Sequence, residues 1–133
     1  MLCHWPGLYC NGTRIGYQIY QEAVRRLNSG FGDRIVWMKL SELARYAAAR
    51  ELTSIRRQEK LITMTAPFSS NNFTIRVDRI GAGPLKLSVG GGSERNLEEV
   101  PSLNQLAADR FFTADSRATI CFDLPKGTSQ IRL

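Results

Sequence analysis

The sequence predicts an α+β fold: a helix–strand–helix unit followed by an antiparallel β-sandwich. Three observations predict it. Apolar residues recur at helical spacing between Thr13 and about residue 58, interrupted by one short, continuous apolar run. After Lys60 the hydrophobic period drops from 3.6 residues to 2. Beyond that point turn clusters separate short alternating segments, the punctuation of a sandwich. The domain boundary is therefore expected near residue 60, with segments 1–60 and 61–133.

Taken in order, Met1–Gly12 is aromatic and broken by Pro6, Gly7 and the Asn11-Gly12 turn pair. Ile15, Ile19, Ala23, Val24 and Leu27 then form one helical face from Thr13 to about Asn28, with Thr13 as N-cap and Gly30 and Gly32 as stops. Arg34–Leu40 centres on Ile35-Val36-Trp37-Met38, which reads as a strand buried on both faces. Ser41 is the expected cap of a second helix with Glu42 in its first turn. Leu43, Ala44, Ala47, Ala48, Leu52 and Ile55 make its apolar stripe, with Arg45, Arg50, Arg56 and Arg57 largely on the solvated side.

In the second half Ile62, Met64 and Ala66 alternate with polar residues. So do Phe73, Ile75 and Val77, then Leu85, Leu87 and Val89, then Ala118, Ile120 and Phe122, with a short final strand at Gln130–Leu133. Turns are expected at Ser69–Asn72, Gly81–Pro84, Gly90–Gly92 and Pro125–Gly127. Residues 93–109, with Leu97, Val100, Leu103 and Leu106, fit either loop or helical turn.

Composition narrows the function classes. The 133 residues suit one domain or two small modules, and 43% apolar with 23% charged residues excludes collagen, coiled coil and wholesale disorder. No apolar run approaches the roughly 20 residues of a membrane span, so no membrane partner is expected. Leu2, Cys3, His4 and Trp5 follow Met1 without a charged n-region, so no signal peptide is expected and the compartment stays open. The net charge of +6 sits mostly in residues 1–60, where ten basic residues face five acidic ones. Its dispersal marks a solvated helical surface rather than a nucleic-acid patch. Cys3, Cys10 and Cys121 contain no CxxC pair, so free thiols are expected and no metal knuckle.

A strand buried on both faces needs parallel neighbours, and few are encoded here. Met1–His4 fits the end of a second such strand, so the helix–strand–helix unit reads as the tail of a larger α/β sheet. The Leu2-Cys3-His4 phrase, the helix after it, and Val36-Trp37-Met38-Lys39-Leu40-Ser41-Glu42-Leu43 some 30 residues later resemble the closing motifs of NodB-homology polysaccharide deacetylases. His4-Trp5-Pro6-Gly7-Leu8-Tyr9 and Asn11-Gly12-Thr13 resemble members carrying a β-sandwich after the barrel. The resemblance covers about residues 1–58 by motif and the rest by architecture alone. It implies that His4 acts as general acid toward the leaving amine, and Trp5 and Tyr9 could wall a sugar subsite. It implies a metal held by an Asp and a His-x3-His pair, all upstream of this region. With His4 its single histidine, this chain lacks that set, so no cofactor or metal and no deacetylation are expected of it alone.

Two other readings stand beside a C-terminal, non-catalytic portion of such a protein. One is a self-standing interaction or carbohydrate-binding module that dimerises through the edge of the 35–40 strand, with glycan as a further partner. The other is a basic RNA-associated protein. Phe73 and Phe122 share phase with core residues, which argues against base stacking. Phe111-Phe112 must place one ring outward. There is no G-x-S-x-G elbow, and Gly90-Gly91-Gly92-Ser93 lies between strands as a hairpin, not before a helix as a phosphate loop.

Overall fold

The computed structural model describes residues 5–79, 81 and 83–133, the side chain of Trp5 excepted. Its class is α+β, with three α-helices and nine strands in two sheets among the described residues. Two units emerge, residues 1–37 and 38–133. The boundary expected near residue 60 falls in the turn of a β-hairpin inside the second unit.

In the first unit, α1 (Trp5–Tyr9) passes through a 3-10 turn at Cys10–Gly12 into α2 (Ile15–Phe31). Asn11 and Gly12 take left-handed φ of 56° and 93°, making the expected turn. Thr13 is not the N-cap. Its backbone is already helical, and its hydroxyl donates to the Cys10 carbonyl at 2.9 Å; Arg14 precedes the helix instead. Gly30 does not stop α2 either, which runs to Phe31, where the Gly32 N–H closes on the Asn28 carbonyl. A Cβ on Gly16 would collide with the Gly7 carbonyl, so a glycine there lets α1 cross α2 closely. No residue of α2 is buried.

The strand expected at Arg34–Leu40 does not form. Residues 35–39 are an unpaired connection, and Val36 is 83% exposed. The run has strand composition, but no described strand lies beside it to satisfy its backbone.

In the second unit, α3 (Leu40–Leu52) has its cap two residues before the expected Ser41. Lys39 holds the N-cap position, and its backbone N–H donates to the Glu42 carboxylate at 3.0 Å. The helix ends at Thr53 in an extended conformation. Ile55, Arg56 and Arg57 therefore belong to a strand, β1 (Ser54–Gln58), and not to the helix. The face of α3 turned to the core is Tyr46 and Ala49; the expected Leu43 and Leu52 stripe is exposed.

β1 pairs with β2 (Leu61–Ala66), which opens a sheet completed by β9 (Gly127–Arg132), β4 (Lys86–Val89) and β5 (Arg95–Asn96), in the order β1-β2-β9-β4-β5. The facing sheet runs β3 (Ser70–Asp78), β8 (Arg117–Leu124), β7 (Arg110–Ala114) and β6 (Glu98–Glu99); only β6–β7 is parallel among these pairs. The alternating residues meet between the sheets: Ile62, Met64, Leu87 and Ile131 from one, Phe73, Ile120, Phe111 and Phe122 from the other. Ser70–Asn72, expected as a turn, instead opens β3 through a bulge, with Asn72 at φ 50°. The ambiguous 93–109 stretch crosses between the sheets at buried Leu97.

Candidate functional site

His4 lies outside the described residues, as do Leu2 and Cys3, and nothing is stated of the Trp5 side chain. Tyr9 ends α1 and is partly exposed. The expected grouping of His4, Trp5 and Tyr9 is therefore seen only in its last member.

Elsewhere the described residues hold no group of His, Cys, Asp and Glu that could bind a metal ion. Cys10 and Cys121 are unbridged. Burial pushes the Cys121 thiol above its ordinary value, so it stays protonated at neutral pH. No described helix is long and apolar enough to cross a membrane. Phe73 and Phe122 are buried against each other at 6.1 Å, so neither ring can stack on a base. Phe111 points into the core, and Phe112 takes the outward phase.

A shallow, open groove of about 560 Å³ lies in the first unit, at residues the sequence analysis did not group. Tyr17, Tyr20, Val24 and Trp37 supply its apolar part, and Gln21, Arg25 and Asn28 its polar part. Five of them recur at spacings of three, one, three and four residues (Tyr17, Tyr20, Gln21, Val24, Asn28), which puts them on one side of α2. Trp37 joins them because the chain doubles back after Gly32, and its indole N–H donates to Asn28 Oδ1 at 2.7 Å. That bond fixes the ring against the helix.

On the rim, two arginines share one carboxylate, so the cluster keeps one net positive charge. Arg25 donates through Nε and NH2 to both oxygens of Glu22 at 2.7 Å, and Arg26 donates to the same carboxylate at 2.8 Å. The Arg25 hydrogen bond, followed by that of Arg26, holds Glu22 down at about 2.

A separate face of α2 carries Ile15, Ile19 and Ala23. Ile19 is 64% exposed, and on α3 Leu40 is 73% exposed with Leu43 beside it. Each helix thus carries aliphatic side chains that its own unit leaves uncovered. Compared with family models, with curated proteins and with solved structures, the chain matches none.

Proposed function

We propose that this chain is the non-catalytic C-terminal portion of a polysaccharide-deacetylase-like, carbohydrate-active protein, bracing its barrel and completing its glycan site. The observation that supports this reading is the bare aliphatic stripe on each long helix. Ile15 and Ile19 on α2, and Leu40 and Leu43 on α3, are exposed in a chain whose sandwich buries its own core fully. Each such side chain gains roughly 1.5–3 kcal/mol on full burial. Monomeric domains seldom leave them in rows. A preceding α/β layer would cover them.

The residues present do not fit the family's metal. The single histidine cannot make a His-x3-His pair, so no hydrolytic step is assigned to this chain. By resemblance, His4 would protonate the leaving amine in the assembled protein, a task suited to a group titrating near neutrality.

The test is the reading frame upstream of Met1. An in-frame extension encoding an Asp pair and His-x3-His is expected. The joined polypeptide should then release acetate from chitohexaose, and its His4→Ala variant should lose most of that rate. A stop codon close upstream, with a chain that is monomeric and inert toward glycans, would overturn the reading. The second reading is a self-associating module, favoured by the exposure of Val36 in an unpaired segment. Light scattering showing a dimer of the 133-residue chain would support it.

A further inference from the structure

We infer that the groove between α2 and Trp37 binds a neutral glycan, seating a pyranose ring against its aromatic side chains. The inference rests on the carbohydrate-active reading and names where this chain itself would hold sugar. A pyranose presents an apolar C–H face and a rim of hydroxyl groups. It therefore needs flat apolar surface beside paired donors and acceptors. Tyr17, Tyr20 and Trp37 provide the surface, and the Gln21 and Asn28 amides flank it. The groove is shallow and open, so a sugar ring would lie on it with one face toward solvent.

Two details select the ligand. The rim cation, Arg25, already holds Glu22 through Nε and NH2 at 2.7 Å, which reduces its pull on a second anion. A charged glycan or a phosphate finds no unpaired positive partner in this lining. The indole N–H of Trp37 is likewise spent, on Asn28 at 2.7 Å. A proline-rich peptide also docks in aromatic grooves, but the indole donor that its carbonyls would use is occupied. What Trp37 offers is apolar ring surface, the residue being 56% exposed. Asn28, accepting through Oδ1, keeps its amide N–H groups for a sugar oxygen.

Calorimetric titration of the 133-residue chain with chitohexaose and cellohexaose tests the proposal. Saturable binding of at least one hexaose is expected. Trp37→Ala and Tyr20→Ala should each weaken it about tenfold or more. Leu103→Ala, in an exposed turn of the sandwich unit, should leave it unchanged. Circular dichroism matching the parent shows that a weakened variant is still folded. No heat with either hexaose, equal affinity in Trp37→Ala, or preferential binding of polygalacturonate or of a proline-rich peptide would overturn it. If hexaose binds but no metal-site motif lies upstream, the groove stands and the deacetylase kinship falls. If the motif is present and no hexaose binds, the groove alone falls.

Discussion

The Arg79 guanidinium is held largely away from water, with 11% of the side chain exposed. NH1 donates to Thr113 at 2.7 Å and to Glu99 at 3.1 Å, NH2 donates to the Gly83 carbonyl at 2.9 Å, and the group lies 5.1 Å from the centre of the Phe111 ring. One side chain thus ties the loop after β3 to β6 and β7. Arg79→Ala removes the stacked cation and leaves the Gly83 carbonyl without this donor. It should cost about 2–4 kcal/mol in urea denaturation. Arg79→Lys should cost nearly as much, because a single ammonium cannot reach partners spread over a planar fork. Arg79 Nε is left without a partner among the described residues, as is the Ser129 hydroxyl. Ser129 is buried in β9 between Met64 and Val89. Ser129→Ala should therefore be neutral or stabilise by up to about 1 kcal/mol, since it removes a desolvated hydroxyl and leaves no large void. A loss above that value would mean the hydroxyl has a partner, such as a buried water.

At the scale of elements, the long alternating strands are legible, whereas β1, β5 and β6 are not. β2, β3, β4 and β8 follow the period-2 pattern because each has one face in a shared core, which constrains every second residue. Ile35–Met38 has the same β-forming composition but nothing described to pair with, and composition cannot report a missing neighbour. Ile55 continues the i, i+3 spacing of α3 from Leu52, so it reads as helix. Thr53 nonetheless turns extended, and Glu59, at φ 50°, makes a tight hairpin without a glycine to announce it. The groove was half legible: Tyr17, Tyr20, Val24 and Asn28 are visibly one helical face, but only the folded chain brings Trp37 to them. The same helix carries a pH signature. Glu22 titrates at about 2 in the folded chain, below its ordinary 4.5, so its support of α2 is complete above that ordinary value. The support is lost as pH falls through about 2. Helical circular dichroism followed from pH 5 to pH 2 should show this loss in the parent and a smaller step in Glu22→Gln. Identical curves would mean that the two arginine contacts do not hold the helix in solution.

For the molecule as a whole, the location of the core decides which part carries stability. Every residue of the buried cluster lies between Ala49 and Ile131, and the partly buried residues packed on it extend only from Tyr46 to Leu133. The first unit contributes none of them, and α2 has no buried residue of its own. The 38–133 polypeptide should therefore unfold in one cooperative step, with a thermal midpoint within about 4 °C of the full chain, the shift that ~1 kcal/mol produces in a domain of this size. Amide hydrogens of residues 15–31 should exchange far faster than those of β2, β8 and β9, because their opening costs only local free energy. An added partner that covers the α2 stripe should slow exchange there and leave the sandwich unchanged. A midpoint many degrees lower in the 38–133 polypeptide, or slow exchange throughout α2 in the isolated chain, would show that the helix is already buried in solution. The bare stripes would then no longer support a missing barrel.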